Sequence, residues 1–210
     1  MAIMNMSTRP TEFFTMKVSR EQMALNRELI LDEASRLFRE RGFDAVTVAD
    51  VMKAAGQTHG GFYGHFKSKD ALIAAAVAHA LSGEAAGMAD LQGWMDTYLS
   101  PLHRDHPEQG CPAASLAGLL RQQSPEARKA MGCGLEAQIE RFARALPEGN
   151  EAERRRAAIG QWSAMVGAMV LARAVEDTAL ADEVLSETRA WIGAVGPNAA
   201  GKQSEGRTSA

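Results

Sequence analysis

An all-α fold is predicted by three features of the sequence. Apolar residues recur every three or four positions along most of the chain, few windows are rich in β-forming residues, and capping and stop signals divide the chain at helix-sized intervals. From Arg20 to Arg41 the repeat runs through Ile30, Ala34, Leu37 and Phe38, and Gly42 with Phe43 supplies a C-terminal stop. Thr47 then opens "TVAD", a Thr-x-x-Asp form of the capping box, with Val48, Val51 and Met52 on one apolar face. That helix lasts about two turns before Gly56. A short third helix is expected near Thr58, and an alanine-rich fourth from Ser68 to about Ser82. Further helices are expected near 89–99, 112–122, 125–145, 151–175 and 179–194. Residues 1–18 have no helical period, and the small, polar "GPNAAGKQSEGRTSA" from Gly196 does not either. Both are expected to be disordered, as a leader and a tail.

The composition, 46% apolar and 23% charged over 210 residues, is that of a chain able to bury a real core. Cys111 and Cys133 are too few for a disulfide framework, and no secretory leader is evident, so a cytoplasmic protein with reduced thiols is expected. The most apolar window, Ala157 to Val175, contains Gln161 and Arg173 and follows the basic run "ERRR". It reads as a buried helix, not a membrane span. The net charge of −3 hides a mild asymmetry. Lys17 to Asp70 holds nine basic and eight acidic residues, against thirteen and seventeen from Ala71 onward. A nucleic-acid partner therefore depends on whether the positive groups converge.

The stretch "THGGFYGHFKSKDAL" (Thr58 to Leu72) is where they would converge. A short helix, a turn with Gly56 in the left-handed conformation and a second short helix make a helix-turn-helix. Thr58 is expected to cap the second helix and free its first turn to enter a major groove. Gly60 and Gly61 weaken a helix by about 1 kcal/mol each relative to alanine, which makes sense where backbone must approach a surface closely. Phe62 and Phe66 are expected to anchor the unit. Tyr63, His65, Lys67 and Lys69 would surround the N-terminus that Ser68 begins, a seat for phosphate. Singly, each of these residues also fits a bland role as cap, packing residue or solvated surface.

"TVADVMKAAGQTHGGFYGHFKSKDAL", together with "NRELILDEASRLFRERGF" before it, resembles the DNA-binding signature of the TetR family of bacterial transcriptional regulators. The likeness covers about Ser19 to Ala80. It implies a helix-turn-helix DNA-binding domain over 19–66 and a helical ligand-binding and dimerisation domain over 67–195. It also implies that Thr47, Tyr63, His65 and Lys69 hold phosphates, with Gln57, Thr58, His59 and Gly61 at base edges. Where many relatives carry a larger residue this chain has Gly61 and Gly64, which leaves Gln57 and His59 as the readers. The partners implied are palindromic double-stranded operator DNA, a second copy of the chain and an unidentified small-molecule effector, with no cofactor.

Beyond that region the residues say less. Gly160, Ala164, Gly167 and Ala168 form a small-residue stripe, with Trp162, Met165, Met169 and Leu171 beside it. This pattern fits a dimer interface or the core of one subunit, and the resemblance, which implies a four-helix interface, favours the first. Trp94, Met95, Tyr98, Cys111, Met131, Leu135 and Phe142 are candidate lining for an effector pocket, each equally at home in an ordinary core. Pro112 places Cys111 at a helix N-terminus, where the dipole favours a thiolate, so a redox-responsive regulator with Cys133 as resolving partner is the alternative. A small buried residue in a tight turn explains Cys111 as well. His103, Asp105, His106 and Cys111 lack a recognised metal spacing, and no group is evident to orient a catalytic histidine, so neither a metal site nor an enzyme is expected. From another class, the alternative is a small-molecule-binding helical protein whose helix-turn-helix is a relic.

Overall fold

The computed structural model describes residues 19–82, 90–147 and 149–195, and every regular element among them is helical. The expected leader (1–18) and tail (196–210) lie outside the described residues. Helix α1 (Arg20–Ala45) starts at Ser19, whose hydroxyl accepts from the Gln22 amide. The expected stop at Gly42 is a break inside that span, since Gly42 takes φ 79° and the chain makes one more turn. That turn buries Phe43 edge-on against Phe38.

Helix α2 (Val48–Ala54) carries the expected capping box. The Thr47 hydroxyl accepts from the Asp50 amide, and the Asp50 carboxylate accepts from the Thr47 amide. Its other end is a Schellman closure: the Gln57 amide donates to Met52 and the Gly56 amide to Lys53, with Gly56 at φ 66°. A 3-10 turn, His59–Gly64, follows where a short helix was expected. Thr58 precedes it but makes no side-chain cap, contrary to expectation. Ser68 does cap α3 (Lys69–Ser82), accepting from the Ala71 amide.

In the remainder, α4 (Leu91–Tyr98) is capped by Asp90. Helix α5 (Pro101–Asp105) was not expected, although Ser100 as cap and Pro101 in the first turn are its sequence signature. The helix expected over 112–122 is α6 (Pro112–Leu116) and then a 3-10 stretch, Ala117–Gln122. Ser124 caps α7 (Pro125–Ala145), and Asn150 with Glu153 boxes the start of α8 (Glu151–Ala174). The Asp177 carboxylate takes the Ala179 and Leu180 amides at the start of α9 (Thr178–Val195).

Two apolar cores organise these helices. The first joins Ile30, Leu37, Phe38, Val51, Phe62, Phe66 and Leu72, and continues through α3 to Leu116, Leu120 and Ala127. Its apolar packing therefore does not stop at residue 66. The second gathers Met95, Tyr98, Phe142, Trp162, Met165, Met169 and Leu185. At its centre the Trp94 and Trp162 rings stack at 5.7 Å, with Phe142 edge-on to Trp94 at 5.9 Å. The Arg39 guanidinium of α1 reaches across to the Glu108 carbonyl, donating from Nε at 3.0 Å and Nη2 at 2.7 Å. No helix among the described residues is long and apolar enough to cross a membrane.

Candidate nucleic-acid interface

The turn His59–Gly64 has little internal support. Three of its six residues are glycine, and within and beside it the Gly61 amide donates to Thr58 and the His65 amide to Phe62. It is held from below by Phe62 and Phe66, both buried and stacked 5.8 Å apart. The anchoring expected of these two rings is what the structure contains. A third support was not anticipated. Arg27 of α1 donates from Nη1 to the His65 carbonyl at 2.9 Å, and its guanidinium carbon lies 4.3 Å from the centre of the Phe66 ring. The clue in the sequence would have been an arginine on the exposed side of α1, but nothing in spacing alone aims it at residue 65.

Around this turn the polar tips point outward. Thr58, His59 and Lys67 are exposed, Gln57, Gly61, His65 and Lys69 are half-buried, and Tyr63 is 73% exposed with its ring resting edge-on against Phe62. Neither Lys67 nor Lys69 has an ion-pair partner among the described residues. Burial, helped by the Arg27 charge, holds the His65 imidazole below its ordinary value, which favours the neutral ring at pH 7. Thr47 is exposed as well, but its hydroxyl donates to the Asp50 carboxylate at 2.6 Å as part of the cap. That hydroxyl and the paired amide hold Asp50 below the usual carboxylate range. Thr47 thus offers no idle donor unless the cap opens.

The glycines carry separate information. A Cβ built at Gly60 meets nothing within 4 Å, and at Gly61 only the Thr58 hydroxyl at 3.4 Å and the tip of Met52 at 3.8 Å. Neither residue has a positive φ. Folding therefore does not require glycine at either position.

Three of the seven residues expected to line a pocket do so. Trp94, Tyr98 and Cys111, with Thr97, His103, Gln109 and Gly110, surround a cavity of about 260 Å³. Met95 and Phe142 lie in the core behind it, Met131 is wedged between the two cores, and Leu135 is exposed on α7, away from the cavity. The wall is tightly wired. His103 Nδ1 meets the Tyr98 carbonyl at 2.7 Å and its Nε2 accepts from the Cys111 amide at 2.9 Å, so the ring is neutral with its proton on Nδ1. Burial is the main cause holding His103 below its ordinary value, with the Arg173 charge adding to it and the Tyr98 bond opposing. Arg173 in turn donates to the carbonyls of Arg104 and His103 and to the Ser115 hydroxyl. Both His103 nitrogens are engaged, which removes it as a metal ligand in this conformation.

The two cysteines of the redox alternative lie in different surroundings. Cys111 is 4% exposed at the start of a five-residue helix, while Cys133 is exposed and lines a different groove between α3 and α7, and no disulfide joins them. On α8 the predicted interface residues divide between two faces. Trp162, Met165, Ala168 and Met169 pack into their own core, because 162, 165 and 169 share one side of the helix. Gly160 and Leu171 are exposed and Ala164 and Gly167 half-buried, on a face that also presents Ile159 and Val170. Trp191 of α9 is 53% exposed.

Residues 30–76 match the model of the bacterial regulatory proteins of the tetR family. Over that stretch the chain is similar to the DNA-binding segment of tetR-family regulators. Among curated proteins, it is 44% identical over 57 residues to the HTH-type transcriptional repressor Rv1474c of Mycobacterium tuberculosis, 27% of this chain and 30% of that protein. It is 38% identical over 55 residues to the HTH-type transcriptional regulator AcrR of Shigella flexneri, 26% of each. The HTH-type transcriptional repressor KstR2 of Rhodococcus jostii is 48% identical over 44 residues, 21% of this chain and 22% of that protein. The aligned stretch spans less than a third of each of these relatives. The fold likeness is broader. NemR of E. coli in its reduced form superposes with a TM-score of 0.65 at 20% identity, covering 80% of this chain and 94% of that one. A TetR-family regulator from Agrobacterium tumefaciens gives 0.65 at 18% identity, covering 81% and 98%.

Proposed function

We propose that this chain is a TetR-family homodimeric, sequence-specific DNA-binding repressor released from its operator by a small molecule. The observation that carries the DNA-binding part is the bare backbone at Gly60 and Gly61 amid outward-pointing polar tips. Since a Cβ would meet open space at Gly60 and only ordinary contacts at Gly61, the demand for glycine comes from outside the subunit, as when backbone lies against a duplex. Tyr63, His65, Lys67 and Lys69 then supply phosphate contacts at the Ser68-capped start of α3, and Gln57, Thr58 and His59 face base edges. Thr58, free of capping duty, is available for that role.

The second copy docks on the outer face of α8 and α9, where Ile159, Val170, Leu171 and Trp191 are exposed and Gly160 and Gly167 would admit a close helix. Two heads held one or more helical turns apart would read a palindrome. The effector enters the 260 Å³ cavity. Its wall, Gln109 to Cys111, continues from Glu108, whose carbonyl Arg39 grips from the head. A ligand favouring a displaced wall therefore also favours a displaced α1, and a coupling of about 1–3 kcal/mol changes DNA affinity 5–150-fold.

Selection of binding duplexes from a random pool, followed by anisotropy titration over a range of salt, tests this reading. A palindromic consensus bound with a steep salt slope is expected, together with a dimer by sedimentation without DNA. A monomer that enriches no duplex at low salt removes the proposal.

A further inference from the structure

We infer that Arg27 is the positioning residue of the DNA-reading turn: from α1 it clamps the His65 carbonyl and the Phe66 ring, and so sets the angle at which residues 57–65 meet a duplex. The inference rests on the DNA-reading role proposed above for that turn.

The turn cannot orient itself. It is a single 3-10 stretch, half glycine, with one buried side chain, Phe62, and an uncapped N-terminus. Its N-terminal side is tied to α2 by the Schellman closure at Gly56 and Gln57. Its C-terminal side must be fixed by something else, and residues 65 and 66 are where Arg27 arrives, 38 positions away in sequence. One guanidinium does two things there. The Nη1 bond of 2.9 Å holds the carbonyl at the junction between the turn and the start of α3, and the planar group covers Phe66, which itself stacks on Phe62. Arg27, Phe66 and Phe62 thus form a three-layer stack running from α1 to the middle of the turn. Arg27 has no carboxylate partner among the described residues, so no ion pair competes for it. A lysine keeps the charge but lacks the plane and fork that serve carbonyl and ring together.

A positioning role differs measurably from a phosphate contact. A phosphate ligand supplies affinity for any duplex and contributes about one unit to the slope of log affinity against log salt. A clamp sets geometry, so its loss falls on the selected duplex and leaves the slope alone. Arg27→Gln and Arg27→Lys are to be titrated against the duplex selected by the unaltered protein and against a scrambled duplex of equal length. Both variants should lose about tenfold to a hundredfold on the selected duplex, the range expected for a bond from a charged donor. The scrambled duplex should be bound about as before, at an unchanged salt slope.

Hydrogen exchange without DNA provides the second readout: amides of His65 and Phe66 should exchange faster in both variants, with those of α2 unchanged. An equal loss on both duplexes with a shallower slope would make Arg27 a phosphate ligand and overturn the clamp. Full activity in Arg27→Lys would reduce the role to charge and overturn it too, as would unchanged exchange at residues 65 and 66. Should the unaltered protein select no duplex, the DNA-binding proposal fails by itself, and exchange alone decides whether Arg27 holds the turn.

Discussion

Two short helical turns, one in each half, treat similar residues in opposite ways. His59–Gly64 in the head turns its histidine and tyrosine outward, and beside it Lys67, Lys69 and the Thr58 hydroxyl have no partner among the described residues. The turn led by Cys111 and Pro112 faces inward. There His103 has both nitrogens engaged, Arg173 makes three bonds to oxygens, and Gly110 lies so close to the His103 ring that a Cβ would meet it at 2.5 Å. Glycine serves opposite ends in the two places, leaving backbone bare toward the outside in one and admitting a ring of the same chain in the other. A cluster of polar tips near glycines and a proline is therefore ambiguous until burial is known. Outward, it can bind; inward, its bonding capacity is already used.

The contrast is broken most directly through stability. Trp162→Ala in the body should cost about 3–5 kcal/mol, since the ring is 3% exposed and stacked on Trp94. Tyr63→Ala, exposed in the head, should leave the thermal midpoint within a few degrees, about what a surface substitution allows. Urea denaturation checks the first and a thermal melt the second, and equal effects would erase the distinction. Next, Leu171→Glu on the outer face of α8 should shift sedimentation from dimer to monomer and cut palindrome affinity at least about tenfold, as loss of one tightly coupled half-site implies. Gly60→Ala sharpens the point within the head. It should preserve or slightly raise stability, by at most about 1 kcal/mol, yet weaken duplex binding, because the methyl has room in the free protein and none against DNA. Lys69→Ala is expected to reduce the salt slope by about one unit for all sequences alike.

The smallest effect concerns pH. His103 is held below its ordinary value in the folded state, so as pH falls past the ordinary histidine range the unfolded chain binds the proton first and stability declines. This contribution is intact above the unfolded value and lost on descending toward the folded one. His103→Gln should flatten the stability profile between pH 7 and 5, as read by urea midpoints at each pH. A variant profile as steep as the original would place the titrating group elsewhere.

Much of the head was legible because its signals are local. The Thr47–Asp50 box, the left-handed Gly56 and the Phe62–Phe66 pair each depend on residues within a few positions. Thr58 misled because a cap presupposes an α-helical first turn, and the chain made a 3-10 turn instead. Arg27 was invisible for the opposite reason, its partner lying 38 residues away. On α8, composition suggested a small-residue seam but not which side of the helix faced home. The periodicity of 3.6 puts Trp162, Met165 and Met169 on one side and Gly160, Gly167 and Leu171 on another, and only packing against α7 and α9 chose between them.

Sequence by itself determined the helical class, most helix starts and the helix-turn-helix motif, because capping, periodicity and turn conformation are governed by neighbours along the chain. Tertiary structure alone decided that Cys111 is enclosed and Cys133 open, that Arg39 ties the head to the Glu108 loop, and which face of α8 stays exposed. Those outcomes depend on which distant surfaces exclude water from a group, and no local pattern records that.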